Sequence, residues 1–176
     1  MPQGKKLQTT SMVSTTIGIL SDTHLSQMTK EFKKHCAAAF NGCDSIIHAG
    51  DLTDLSIFSA FPGKTIYGVH GNMCNMAVHQ YLPERQEVTI EGFSIGICHG
   101  YGPRHNIEER MLDLFPGVDC IVYGHTHQPV CHLIGKTLII NPGSFQSTGR
   151  YGAPGTYGRL IIDSNGLHGS ILELPQ

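Results

Sequence analysis

Residues 15–51 read TTIGILSDTHLSQMTKEFKKHCAAAFNGCDSIIHAGD, and the order of side chains in this stretch decides the fold. Thr15 to Leu20 is a short β-branched and apolar run that closes on Ser21-Asp22-Thr23-His24, and Ser45 to His48 is a second that closes on Ala49-Gly50-Asp51. Between them, Phe32, Cys36, Ala39 and Phe40 fall on one face of a helix running from Thr29 to Phe40, with Gly42 as its stop. A strand, a helix and a strand of these lengths form a βαβ unit, so the two strands are parallel and their polar tips meet at the same end.

The same pattern continues along the chain. Thr65 to Val69, Phe93 to Cys98, Val118 to Tyr123 and Thr137 to Ile140 are further short apolar runs. Three more polar tips follow such runs: Gly71-Asn72, His99-Gly100 and Gly124-His125-Thr126-His127. Asp54 to Ala60 reads as a short helix capped by Asp54, after which Pro62-Gly63 turns the chain back. Glu91-Gly92 and Asn165-Gly166 are hairpin signals, joining Glu87–Ile90 to Phe93–Cys98 and Tyr157–Asp163 to His168–Leu174. A further helix fits Ile107 to Phe115, with Asn106 as N-cap, Glu109 as its capping partner and Pro116-Gly117 beyond it. The expected architecture is α/β: a mixed sandwich of two sheets face to face, helices outside, and the polar tips along the carboxyl ends of the strands. Residues 14–176 read as one domain and residues 1–13 as a disordered leader.

At 176 residues, 40% hydrophobic and 15% charged, the chain has the composition of an ordinary globular domain with a sizeable core. A formal net charge of -2 and scattered Lys and Arg give no electrostatic footprint for nucleic acid. Trp is absent altogether, so no indole supports a stacking platform and a nuclease is disfavoured. No run approaches the roughly 20 apolar residues of a membrane span, and no secretory signal opens the chain. The six cysteines show no Cys-x-x-Cys pair and read as reduced thiols, with Cys98 and Cys120 in the core. A cytoplasmic protein follows, with homo-oligomerisation left open.

The chemistry lies in the five polar tips. Carboxylate, imidazole and carboxamide groups suit a borderline divalent cation, and an acidic phosphate would be drawn to such an ion whatever the net charge. Taken singly, Asp22 and Asp51 are equally well read as caps, and any Gly-Asn as a turn. His125 and His127, two apart on a loop after an apolar run, direct both rings to one site when the chain is extended. His48, between Ile47 and Ala49, reads as a hydrogen-bonded core histidine, and His35, His79, His132 and His168 as surface residues. Gly50, Gly71 and Gly124 stand where the loops must turn sharply.

The order and spacing of these tips resemble the calcineurin-like metallophosphoesterases. The closer similarity is to the small branch of YfcE-like phosphodiesterases, which also includes the scaffold subunit of retromer. It covers the chain from Ile17 to about Leu174 and takes in Asn141-Pro142-Gly143-Ser144 and Arg150. The resemblance implies that Asp22, His24 and His127 hold one metal, that Asn72, His99 and His125 hold another, and that Asp51 bridges them. It implies two divalent ions, manganese first among iron, zinc, cobalt and nickel. The implied reaction is hydrolysis of a phosphodiester by a metal-bridging hydroxide, with Asn72 and His99 also counted as catalytic. The alternative it carries is a metal-binding interaction scaffold of the retromer type.

Two departures bear on the reaction. Family members that follow Gly-Asn with His and Asp use that His to protonate the leaving group; here Met73 and Cys74 stand there, and Tyr101 occupies a position where a second His is common. His70 and His105 are the remaining candidates for a proton donor, and Arg150 is a candidate phosphate ligand.

Overall fold

The computed structural model describes residues 14–146 and 154–175. The leader assigned to residues 1–13 and the candidate Arg150 lie outside the described residues. Among the described residues, ten strands form two five-stranded sheets. In the first, β1 (Thr15–Leu20), β2 (Ser45–Ala49) and β3 (Thr65–Val69) are parallel neighbours, and β9 (Thr156–Asp163) and β10 (Gly166–Glu173) extend the β1 edge antiparallel, in the order β10-β9-β1-β2-β3. In the second, β5 (Phe93–Cys98), β6 (Cys120–Val122) and β8 (Thr137–Asn141) are parallel, with β4 (Arg85–Ile90) and β7 (Val130–Ile134) antiparallel at the edges, in the order β4-β5-β6-β8-β7.

The strand patterns explain this arrangement. Alternate residues Ile17, Ile19, Ile47, Val69, Ile95, Ile97, Val122, Ile140 and Leu160 point between the sheets and make one continuous core. Each fully buried aliphatic side chain there contributes about 1.5–3 kcal/mol. The opposite face of the first sheet is covered by α1 (Lys30–Ala39) and a 3₁₀ turn at Leu55–Ala60, through Phe32, Cys36, Phe40, Ile57 and Phe61. That of the second is covered by α3 (Ile107–Leu114), through Ile107, Met111 and Phe115 against Ile121 and Ile139. The result is the expected α/β sandwich of two mixed sheets with helices outside.

The segment capped by Asp54, whose carboxylate accepts from Ser56 N–H at 2.8 Å, is the expected short helix, of 3₁₀ type. Other expectations need correction. β6 is three residues long rather than the six from Val118 to Tyr123, because only Cys120–Val122 lie between β5 and β8. Asn106 precedes α3 in a left-handed conformation (φ 53°) and makes no side-chain cap bond. The Arg110 guanidinium organises that entry instead, donating to the carbonyls of Tyr101, Pro103, His105 and Asn106. Two elements went unread in the sequence. α2 (Met76–Tyr81), capped by Asn75, buries only Val78, too little for a periodic signal. β7 is an edge strand with a weakly buried, non-alternating pattern.

Candidate metal centre

The carboxyl ends of the two parallel triads meet at one end of the sandwich. β1 carries Asp22 and His24, β2 carries Asp51, β3 leads to Asn72, β5 to His99 and β6 to His125 and His127. Backbone bonds lace the loops together. Asp22 N–H donates to Gly50 O and His24 N–H to Asp51 O, both at 3.0 Å, and Gly124 N–H donates to His99 O at 3.0 Å. Asp22, His24, Asp51, His125 and His127 all have positive φ, between 48° and 66°. Left-handed backbone costs a non-glycine residue about 1–2 kcal/mol, and such strain concentrates where a site imposes geometry.

Two groups of ligating atoms share Asp22 Oδ1. In one, that oxygen lies 3.1 Å from His127 Nε2 and 3.8 Å from His24 Nε2, and the two imidazole nitrogens are 3.3 Å apart. In the other, His99 Nε2 lies 3.9 Å from Asp22 Oδ1 and 3.2 Å from Asp51 Oδ2. The donor chemistry fits a cation. His99 Nδ1 lies 2.8 Å from Ala49 O, which fixes the proton on Nδ1 and leaves a lone pair on Nε2 of the neutral ring. That nitrogen and Asp22 Oδ1 are buried with no hydrogen-bond partner. Buried lone pairs converging without a donor cost several kcal/mol unless a positive charge sits among them.

The electrostatics agree. Burial alone would lower the His99 pKa, but the neighbouring carboxylates of Asp51 and Asp22 raise it above the ordinary range. Burial would raise Asp51, but His99 and the Met73 N–H, which donates to Oδ1 at 2.8 Å, pull it down. The two buried carboxylates thus draw positive charge to His99, charge that a bound cation would supply in place of a proton on the neutral ring.

Further residues hold the carboxylates in place. The Ser21 hydroxyl lies 2.6 Å from Asp22 Oδ2 and 2.8 Å from Gly143 O, and the Ser144 hydroxyl 3.0 Å from Asp22 O. Asn141 Nδ2 donates to Gly124 O at 2.7 Å and to Thr126 Oγ1 at 3.0 Å, while its Oδ1 accepts from Gly143 N–H at 2.9 Å. The Asn-Pro-Gly-Ser turn is therefore architectural, and it also clamps the loops that bear the candidate ligands. Ser21 and Asn141 as clamps were missed; their only signal was a polar residue at the end of a buried strand. His48 is the expected core histidine: fully buried, 3.2 Å from Thr23 Oγ1, its pKa pushed down by burial to about 3. Of the three loop glycines, Gly50 alone has a positive φ, at 88°. Gly71 and Gly124 are needed for space, since a Cβ would lie 2.2 Å from Asp51 Oδ1 or 2.9 Å from Asp22 Oδ2.

Not every candidate falls into the two groups. His125 stands beside His99, ring centroids 5.4 Å apart, but its Nε2 faces Gly102 O at 3.0 Å. Asn72 is exposed and lines, with His99, a cavity of about 280 Å³. His70 is on the same cavity wall, whereas His105 is exposed on the loop that Arg110 pins. Cys98 and Cys120 are buried thiols as expected, and burial pushes the Cys98 pKa up to about 12.

Comparison with known proteins gives the centre a context. A family model described as the calcineurin-like phosphoesterase superfamily domain matches residues 16–165. A probable metallophosphoesterase of Methanocaldococcus jannaschii is 35% identical over 132 residues, 73% of this chain and 67% of that protein. The phosphodiesterase YfcE of Escherichia coli K12 is 34% identical over 106 residues, 56% of this chain; the match spans 53% of YfcE. Among solved structures, vacuolar protein sorting 29 of Cryptosporidium parvum aligns with a TM-score of 0.68 over 93% of this chain and 99% of that one. At 16% identity that is a likeness of fold.

Proposed function

This chain belongs to the calcineurin-like phosphoesterase superfamily, and from that premise we propose that it is a dinuclear metal-dependent phosphodiesterase acting on small phosphodiesters. The observation that carries the reading is the convergence of two buried, unpartnered atoms, Asp22 Oδ1 and His99 Nε2, on the space between Asp51, His24 and His127. Asp22, His24 and His127 would hold one ion; Asn72, His99 and His125 a second; and Asp51, with a carboxylate oxygen for each, would bridge. Manganese is the ion we infer, although the mixed N and O donor set also accommodates iron, zinc, cobalt or nickel. When bound, such ions neutralise phosphoryl oxygens and lower the pKa of a water at neutral pH.

The chain's own groups supply the rest. Ser21 and Ser144 orient Asp22, the Met73 N–H orients Asp51, and Ala49 O fixes the His99 tautomer. Asn72, exposed on the cavity wall, presents its carboxamide to a phosphate oxygen. No imidazole occupies the position after Asn72, which leaves His70 on the cavity wall as the candidate donor to the leaving alcohol, and esters of acidic alcohols need such assistance least. Six free thiols support a reducing, cytoplasmic setting, and among the described residues no helix is long and apolar enough to cross a membrane.

The test is hydrolysis of an aryl phosphodiester by chelator-stripped protein with manganese restored, beside Asp51→Ala as the blank. Metal-restored turnover lost in the variant supports the enzyme. Metal binding without turnover favours the second reading, a metal-binding interaction scaffold, which the loss of the usual His and Asp at Met73 and Cys74 and the likeness of fold to vacuolar protein sorting 29 both support.

A further inference from the structure

The cavity beside Asn72 and His99 has a floor and walls that the metal chemistry does not use. Its lining includes His70 and His79, whose rings are tilted against each other with centroids 4.1 Å apart, together with Tyr101 and Leu114. Tyr101 is 53% exposed, an unfavourable place for an aromatic ring, yet its position is firmly set. The Arg110 guanidinium donates to Tyr101 O at 3.0 Å and lies 5.8 Å from the centroid of the Tyr101 ring. His125 holds the next residue, through Gly102 O at 3.0 Å. A half-exposed ring on a segment that Arg110 and His125 hold by its carbonyls, sharing a cavity of about 280 Å³ with an imidazole pair, makes a preorganised slot. Arg85 and Glu84 complete the lining, one offering donors and the other acceptors.

We propose that this slot is the subsite for the organic group of the substrate, and that it takes one planar aromatic or heteroaromatic ring esterified to the phosphate. The ring stacks on Tyr101 and the His70–His79 wall, and its polar edge meets Arg85 and Glu84. A volume at the low end for ligand sites admits a single ring system and excludes a long polymer. The proposal names the substrate class for the phosphodiesterase reading and rests on that reading only for the place of the phosphate. A ring ester is also the kind of substrate that suits a site with no imidazole at the position after Asn72, since aryl oxides depart readily.

The test uses two phosphonates that differ only in the organic group, phenylphosphonate and methylphosphonate, titrated calorimetrically into the zinc-loaded protein. Imidazole resonances of His70 and His79 are followed by NMR in the same titrations. Phenylphosphonate should bind about 3- to 12-fold more tightly, the range expected of an aromatic contact, and should shift both imidazoles. Tyr101→Ala should erase the preference and Tyr101→Phe should keep it. Equal affinities in the unaltered protein, or no binding of either probe, would overturn the proposal. So would a preference that survives Tyr101→Ala and leaves both imidazoles unmoved, since the ring would then lie elsewhere. Hydrolysis is scored separately: ring preference without turnover on any diester sinks the enzyme reading and leaves the slot standing, whereas turnover without ring preference does the reverse.

Discussion

At the scale of single residues, the centre depends on charges that are stable only together. Asp51 holds His99, accepts the Met73 N–H, and would serve both ions. Asp51→Asn should therefore lower metal-dependent hydrolysis of an aryl phosphodiester by more than the roughly 10–100-fold typical of losing a group behind the ligands. Metal analysis of the purified variant should show reduced occupancy. Met73 and Cys74 predict a second outcome: alkyl monoesters should react at least about 100-fold more slowly than aryl diesters, the lower bound of what a missing general acid removes. Equal rates on the two classes would refute this. His48 gives a pH prediction. Its pKa falls from an ordinary 6.5 to about 3 on folding because burial disfavours the imidazolium. The unfolded chain then binds a proton that the folded chain refuses across this window. Stability is intact above pH 6.5 and falls as the pH drops toward 3, by up to about 1.4 kcal/mol per pH unit. Denaturant melts of chelated wild type and His48→Gln should diverge in slope over that range; parallel profiles would rule the account out.

At the scale of elements, loops rather than helices carry the function, and specific side chains tie those loops down. Asn141, at the end of β8, bonds to Gly124, Thr126 and Gly143 at once, joining the loop that bears His125 and His127 to the turn that backs Asp22. Asn141→Ala should leave Gly124 O and Gly143 N–H without their partner and cost about 1–3 kcal/mol in stability. Metal affinity should fall about 10-fold or more, because a supporting bond is lost and not a ligand. Calorimetric metal titration and a thermal melt read the two effects separately. The loop Tyr101–Asn106 depends similarly on Arg110. In Arg110→Ala, hydrogen exchange should accelerate across residues 101–106 while the amides of β1, β2 and β5 remain protected; acceleration throughout the sheets would mean that Arg110 supports the fold rather than the loop.

At the scale of the whole molecule, the centre spans two sheets that elsewhere meet through an apolar core and a few polar contacts, such as Gln86 Nε2 donating to Gly68 O at 2.8 Å. Asp22, His24 and Asp51 follow strands of the first sheet, and His99, His125 and His127 follow strands of the second. A cation held by both sides binds only the assembled sandwich, so metal should stabilise the protein by linkage, about 2.7 kcal/mol at a free concentration one hundred times Kd. Calorimetric melting with and without chelator should show the shift, and Asp51→Ala should shrink it. By itself the sequence determined the class of fold, the parallel β1-α1-β2 unit and two of the three antiparallel hairpins among the described residues, and it marked the polar tips that the fold brings together. These are local properties: β-branched runs, helical spacing, and turn residues such as Glu91-Gly92, whose positive φ values of 50° and 84° fit a tight hairpin turn. Elements too short or too exposed to leave a periodic trace, α2 and β7, were not legible. Neither were the roles that depend on contacts between distant residues. Only the tertiary structure set His99 against Asp51, turned His125 toward Gly102, made Ser21 and Asn141 into clamps, and opened a ring-sized slot beside Asn72. Those relations arise where two sheets pack, and the separations that matter there are set by the packing of the core rather than by neighbours along the chain.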